Sequence, residues 1–311
     1  MPIKLLLDCD PGLDDALALL LAHGDPNLEL VGVTTVGGNV ALANTTRNAL
    51  QLREYLGFTR VPVAAGAADP LVKIAQTAEH VHGAEGLGDV TLPAAVLPAS
   101  EQHAVDLIIS TLRDAPGTVH LVATGPLTNI ALAIQREPRI VEWAASFVIM
   151  GGSYTRGNVT PAAEFNIYVD PDAAAIVFAA GWQVVMVGLD LTLQAVVNEG
   201  IVARMHALGA LGVDLIAPLA TYWTNPHDNE WDGQALHDVC AVAYLARPDL
   251  FTSQVARVEV ETKGEFTSGM TIVDFHAEEP NALVPRTLDV AGFWDYVLPA
   301  WGNVAVRHPN A

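Results

Sequence analysis

The stretch Ile3–Ala22, IKLLLDCDPGLDDALALLLA, decides the fold. Ile3 to Leu7 is a short apolar run of the kind that fills a strand covered on both faces, and Pro11-Gly12 ends it. A helix is expected from Leu13, with Asp14 and Asp15 in its first turn, where unpaired backbone N–H groups and the positive end of the helix dipole favour carboxylates. Dipole stabilisation accounts for one or two acids, yet the segment holds four: Asp8, Asp10, Asp14 and Asp15. Strand alternation sends Asp8 and Asp10 to one face and Cys9 to the other, so Asp10 and the helix start converge at the carboxyl end of the first strand. Carboxylates that close repel one another unless protonated or bridged by a cation, which points to a bound hard divalent ion.

Working outward, strand-like runs alternate with helical patterns. LELVGVTTVGGN from Leu28, TVHLVATGPLTN from Thr118, SFVIMGGSY from Ser146 and WQVVMVGLDLT from Trp182 read as strands. Between them, ALANTTRNALQLREYLG, HAVDLIISTLRDAPG, IALAIQREPRIVEWAA and DPDAAAIVFAAG read as helices, each with a Gly or Pro stop. This punctuation predicts an α/β fold with an open, mostly parallel, Rossmann-like sheet flanked by helices, and one domain over residues 1–311. The stretches AADPLVKIAQTAEHVHGAEGLGDVTLP and Leu211–Leu236 read as loops, the first a substrate-covering one. The last element legible in the pattern is ALHDVCAVAYLARPDLF from Ala235.

Composition narrows the function classes. The chain is 51% hydrophobic and 16% charged, enough apolar matter for a large core. A formal net charge of -20 with only 15 Lys and Arg leaves no basic patch for a phosphate backbone or an anionic membrane. Cys9 and Cys240 sit in apolar runs and are too few for a disulfide framework, as expected of a reducing cytoplasm. The apolar run before Asp8 is too short for a signal segment, and no stretch approaches a membrane span, so a cytoplasmic protein is expected.

Polar residues gather where the strands stop, which is where open α/β sheets bind ligands. Asn39 follows strand two. Thr124 precedes Gly125-Pro126, expected in the first turn of a helix, and its carbonyl is free for a metal. Asn158, Glu164 and Asn166 are hydrogen-bonding groups in a Gly-rich connection, and Asp170 before Pro171 reads as a helix start. His237 and Asp238 open an apolar helix; Asp238 reads equally as a dipole charge or as the further acid a metal cluster lacks, and His237 as a titrating proton donor. All candidate ligands are oxygens, which favours calcium over magnesium and both over zinc.

DCDPGLDDALAL, Asn39, ATGPLTN, MGG followed by GNVTPAAEFNIYVDPDAA, and HDVCAVAYL, in this order along nearly the whole chain, resemble the nucleoside hydrolases of the inosine-uridine-preferring type. The resemblance implies a Rossmann-like domain, a tightly bound Ca2+, a homodimer or homotetramer, and hydrolysis of the N-glycosidic bond of ribonucleosides in purine and pyrimidine salvage. It further implies that Asp10, Asp15, the Thr124 carbonyl and Asp238 hold the calcium and that Asp10 is the general base. Asp14, Asn39, Asn166 and Asp238 would position the ribose diol, Asn158 and Glu164 its 5′ hydroxyl, and Met150 would lie beneath the sugar. His82 and His237 would face the base, His237 as leaving-group acid, with Asn166 counted among the catalytic groups. His82 falls in the presumed loop, and Tyr222, Trp223 and Trp231 are candidates for the wall of the base pocket.

Two departures stand out: Val239 replaces the proline that many relatives carry after HD, and YWTNPHDNEW matches no relative closely. His237 favours the inosine-uridine or pyrimidine type over the purine-specific type, leaving uridine and inosine both open. Two other classes fit part of the pattern. LLLDCD suits a haloacid-dehalogenase-like magnesium phosphohydrolase with Asp8 as nucleophile and Asp10 as acid, although Gly12 stands where that class expects Thr or Val. A non-catalytic calcium-dependent ribose-binding protein would keep the pocket without turnover.

Overall fold

The computed structural model describes residues 1–222 and 234–304. Among these residues nine strands form one sheet, and two short strands form a separate ribbon. In chain order the strands are β1 (Ile3–Cys9), β2 (Leu28–Thr35), β3 (Val63–Ala65), β4 (Val119–Ala123), β5 (Phe147–Met150), β6 (Val184–Val187), β7 (Val196–Val197), β8 (Gln234–Ala235), β9 (Phe251–Val260), β10 (Thr271–Asp274) and β11 (Ala282–Leu288). The sheet runs β10-β9-β11-β6-β5-β4-β1-β2-β3, and β7 pairs with β8 in the ribbon. From β11 to β3 every pairing is parallel, while β9 runs antiparallel to both β10 and β11.

Strand order sets the site. From β1 the chain moves outward to β2 and β3, then returns to β4 on the other side of β1 and continues to β5 and β6. The β1–β4 pair is therefore the switch point, and a crevice opens at the carboxyl ends of these strands. Register aligns those ends: Asp8 stands opposite Thr34 on β2 and Ala123 on β4.

Helices cover both faces. The 104–114, 128–136 and 171–178 helices pack with Leu6, Leu121, Phe147 and Ile149 on one face. The 42–56, 238–246 and 290–302 helices enclose the other, packed around the Leu13–Gly24 helix. That helix is buried from Leu13 to Ala22, so it is apolar all round rather than amphipathic. Its fully buried leucines contribute roughly 1.5–3 kcal/mol each in transfer free energy. Trp301 ties the C-terminal helix to it by donating from Nε1 to the Leu17 carbonyl at 3.1 Å.

The five strands expected up to residue 187 are present as β1, β2, β4, β5 and β6, and β3, which was not expected, adds a short edge strand beside β2. Pro138 splits the expected helix over 130–145 into Thr128–Arg136 and Ile140–Trp143, because proline has no N–H to continue the ladder. Pro126 lies two residues before Thr128, outside the first turn. The expected loop from Leu211 is helical over Gly212–Ile216 and Ala217–Thr221. Trp223 and Trp231 lie outside the described residues. Strands β9 to β11 and the Val290–Gly302 helix follow what the sequence pattern gave as its last element. Among the described residues no helix is long and apolar enough to cross a membrane.

Candidate active site

The turn after β1 and the first turn of the Leu13–Gly24 helix bring the acids together. Asp15 is their anchor. Its Oδ1 accepts from Thr124 Oγ1 at 2.8 Å and the Asp10 amide at 3.3 Å; its Oδ2 accepts from Asn39 Nδ2 at 2.9 Å and the Gly12 amide at 3.1 Å. Three segments distant in sequence thus meet on one carboxylate. Carboxylate oxygens of Asp14, Asp15 and Asp238 all lie within 4.8 Å of one another, and all three side chains are buried.

Asp10 borders this trio without completing it by distance. Its Oδ2 accepts from the Asn39 amide at 2.7 Å, whereas its Oδ1 is buried and has no hydrogen-bond partner among the described residues. Glycines make room for it. A Cβ at Gly38 would stand 2.1 Å from Asp10 Oδ2, and one at Gly125 would stand 2.6 Å from Oδ1.

Burial first, and then the neighbouring negative charge, holds these carboxyls above their ordinary range. Burial and Asp15 push Asp10 well up; burial and Asp14 push Asp15 to about 6; burial, then Asp14, Asp15 and Asp10, push Asp238 well up. A cation among them would offset both causes. The donor set suits a hard one. The available atoms are carboxylate oxygens and the Thr124 carbonyl, while the Cys9 thiol points to the other face and donates to Thr34 O.

Asp8 does not join the cluster. It shares a face with Leu6, is fully buried, and its Oδ1 accepts from Thr34 Oγ1 at 2.6 Å and Asn129 Nδ2 at 2.8 Å. Burial raises its pKa to about 7. Its Oδ1 is held by two donors on the side of Leu6, apart from the Asp14, Asp15 and Asp238 trio, an arrangement that does not favour it as the nucleophile of a phosphohydrolase.

The far wall comes from the β5 end. Asn166 donates from Nδ2 to the Thr124 carbonyl at 2.8 Å and to the Met150 carbonyl at 3.1 Å, with Met150 Sδ at 3.5 Å. The Thr124 carbonyl is thus already an acceptor, with its second lone pair remaining. Glu164 caps the Phe165–Val169 helix: Oε1 accepts from the Asn166 amide, and Oε2 from the Gly152 and Ile167 amides. Burial pushes Glu164 to about 7. Asn158 is exposed, and its Oδ1 accepts from the Phe165 amide at 2.9 Å; among the described residues no hydrogen bond brings it to the acids.

His82, expected on a loop, lies on a short helix. It ends the short Glu79–His82 helix, is buried, and its Nδ1 accepts from the Leu13 amide at 3.1 Å. A backbone donor leaves Nδ1 unprotonated, so the ring hydrogen sits on Nε2. Tyr222 closes over the same segment, with a Cβ at Gly88 placed 2.6 Å from its ring. His237 precedes the Asp238–Ala246 helix, and its Nδ1 lies 2.7 Å from Thr192 Oγ1. Burial lowers the pKa of both histidines. Asp170 is the helix start expected of it, accepting from the Ala173 amide.

A family model described as inosine-uridine preferring nucleoside hydrolase matches residues 5–295. The chain belongs to this nucleoside hydrolase family. It is 46% identical, over 96% of its length and 98% of the relative's, to the inosine-uridine preferring nucleoside hydrolase of Crithidia fasciculata. It is 43% identical to the pyrimidine-specific ribonucleoside hydrolase RihA of Escherichia coli K12, over 95% of this chain and 97% of that one. Among solved structures, the purine-preferring ribonucleoside hydrolase from Gardnerella vaginalis superposes with a TM-score of 0.91 at 34% identity, covering 96% of this chain and 98% of that one. The plant nucleoside hydrolase PpNRh1 gives 0.88 at 31% identity, over 97% and 99%. These relatives are named for three different base preferences, so family membership makes this nucleoside hydrolase an enzyme of N-glycosyl bonds without fixing its base.

Sequence reading of this nucleoside hydrolase missed Thr192, the Thr124 hydroxyl and the Asn129 amide that holds Asp8. Each is a single neutral residue, Thr124 directly after β4, Asn129 in the first turn of the Thr128–Arg136 helix and Thr192 at the end of Leu189–Thr192; position after an apolar run was the one signal present.

Proposed function

We propose that the chain is a calcium-dependent ribonucleoside hydrolase that releases free base and ribose from uridine and inosine, with cytidine in the same class. The observation that carries the reading is Asp10 Oδ1, a buried carboxylate oxygen without a partner beside the converging Asp14, Asp15 and Asp238. Asp10, Asp15, Asp238 and the Thr124 carbonyl would hold the ion. When bound, calcium supplies Lewis acidity toward water and an anchor for sugar hydroxyls.

The protein's own groups do the rest. Asp14, Asn39, Asn166 and Asp238 hydrogen-bond the 2′ and 3′ hydroxyls, Glu164 and Asn158 hold the 5′ hydroxyl, and Met150 lies under the sugar. Asp10 takes a proton from the attacking water, whose hydroxide adds to the anomeric carbon. The C–N bond breaks with its electron pair going to the base nitrogen, which His237 as leaving-group acid meets with a ring N–H, the released base taking its proton from solvent; His82 faces the base. Positive charge builds on the ribose ring as the bond opens, and the surrounding carboxylates stabilise it. A homodimer or homotetramer acting in cytoplasmic base salvage completes the proposal.

The test is base release from a panel of ribonucleosides and 2′-deoxyribonucleosides, with and without chelator, for wild type and Asp10→Ala. Ribonucleoside turnover, strong loss in the deoxy series and near-abolition by the substitution are expected. Equal turnover of both series would refute a sugar held by its diol.

A further inference from the structure

Thr192 closes the short Leu189–Thr192 helix after β6 and is fully buried. Its backbone is tied to the segment that carries His237. The Ala195 amide donates to the Thr192 carbonyl at 3.0 Å, the Leu236 amide donates to the Ala195 carbonyl at 3.1 Å, and β7 pairs with β8 just beyond. The 2.7 Å approach of Thr192 Oγ1 to His237 Nδ1 is therefore set by backbone on both sides.

A hydroxyl has one hydrogen to place. Among the described residues the hydrogen bond of the Thr192 side chain is the one to Nδ1. If Nδ1–H were the donor, the hydroxyl hydrogen would be buried without an acceptor among the described residues, an arrangement folded proteins avoid. If the hydroxyl donates, both groups are satisfied and Nδ1 is the acceptor. The ring hydrogen then sits on Nε2. His82 arrives at the same tautomer by a different donor, the Leu13 amide, so both histidines of the site carry the ring hydrogen on Nε2.

We propose that Thr192 is a positioning residue for nucleoside hydrolysis: its hydroxyl fixes His237 in the Nε2–H tautomer, so that the ring meets the leaving base with a hydrogen rather than a lone pair. The inference rests on the assignment of His237 to the leaving group, and in it the neutral ring donates a hydrogen bond from Nε2–H to the nitrogen that gains the electron pair, the released base taking its proton from solvent so that the ring stays neutral. It concerns where the hydrogen sits before C–N cleavage. A ring turned to the other tautomer would aim a lone pair at the departing nitrogen, which is itself gaining an electron pair.

The experiment compares wild type, Thr192→Val, Thr192→Ser and His237→Ala on uridine and on p-nitrophenyl riboside, whose leaving group departs without a proton. Thr192→Val, close in shape but without a hydroxyl, is expected to lower kcat on uridine about tenfold or more, with KM little changed and p-nitrophenyl riboside spared. Thr192→Ser should restore the uridine rate. Equal losses on both substrates, or no loss on uridine, would overturn the positioning role. Nitrogen-15 NMR of the imidazole gives an independent answer: wild type should show Nδ1 bare and Nε2 protonated, and Thr192→Val a mixture. A neutral wild-type ring protonated at Nδ1 overturns the inference even if the valine variant does not fold. His237→Ala separates the two readings: equal losses on both substrates there would remove the acid assignment, while selective loss there without loss in Thr192→Val would sink only the role of Thr192.

Discussion

Replacing Asp8 by Asn should make the protein more stable at pH 8 while leaving hydrolysis within a few-fold of wild type. Asp8 is fully buried, Thr34 and Asn129 both donate to its Oδ1, and its Oδ2 has no partner among the described residues. Burial raises its pKa from 3.8 to about 7. Between these values the folded state holds a proton that the unfolded chain has released, so stability falls as pH rises and the full cost is in place above the folded pKa. Three pH units at about 1.36 kcal/mol each set an upper bound of about 4 kcal/mol. About two of those units, or about 3 kcal/mol, fall between pH 5 and pH 8. Asparagine keeps the oxygen that faces Thr34 and Asn129 and carries no charge. Its amide nitrogen takes the unpartnered position at a cost of about 1–3 kcal/mol, which is the same at both pH values and cancels in the comparison. Urea unfolding of both proteins at pH 5 and pH 8, with chelator present, measures the difference. A gap between variants that does not change with pH would refute the assignment of a buried, proton-holding Asp8. Abolished nucleoside hydrolysis in a folded Asp8→Asn protein would refute its exclusion from the chemistry.

The acid cluster gives a second pH effect. Asp15 is raised to about 6, with Asp10 and Asp238 also raised by burial and by one another, so the cation-free protein loses stability as pH climbs from about 4 through that range. Chelation should therefore lower Tm more at pH 8 than at pH 5, and a drop independent of pH in differential scanning fluorimetry would count against a shared ion. Gly38→Ala places a methyl 2.1 Å from Asp10 Oδ2, and a displacement of that carboxylate should lower kcat/KM by about tenfold or more in steady-state assays; an unchanged value would mean that Asp10 need not sit where it does. Glu164→Gln turns an amide N–H toward backbone donors that both carboxylate oxygens now serve, costing about 1–3 kcal/mol. Because Glu164 is raised to about 7, the wild type itself sheds stability above pH 4.5, so the loss seen on unfolding should be smaller at pH 8 than at pH 5, and the reverse order would be incompatible with a buried carboxyl of that kind.

Much of the first two-thirds of the fold was legible because buried parallel strands are written as unbroken apolar runs with glycine or proline stops. β9 and β11 lie beyond that code. β9 is an antiparallel strand whose Arg257 and Glu259 stay solvated, and β11 carries Pro285 and Arg286 at a shift in register, so neither reads as apolar or cleanly alternating. At the site, the acids announced themselves by crowding: four carboxylates within eight residues demand a reason. Neutral partners do not. Thr192 reaches His237 across 45 positions and Thr124 reaches Asp15 across 109, and nothing local marks either as more than a residue at an element's end. The helix that carries His82 was hidden for a related cause, since a polar, Gly-rich segment reads as loop until the Leu13 amide and the Tyr222 ring are seen against it.

The Leu13–Gly24 helix has no face of its own in water, and one of the walls around it is made from Val290–Gly302. A ribosome delivers Asp10 to Asp15 early and Trp301 nearly three hundred residues later. Until that tryptophan reaches the Leu17 carbonyl, the nascent chain carries a greasy rod tipped with carboxylates and one wall short of full enclosure. The helix that carries the first acids of the site is thus fully enclosed only when the C-terminal helix docks, so synthesis must run nearly to its end before that burial is complete.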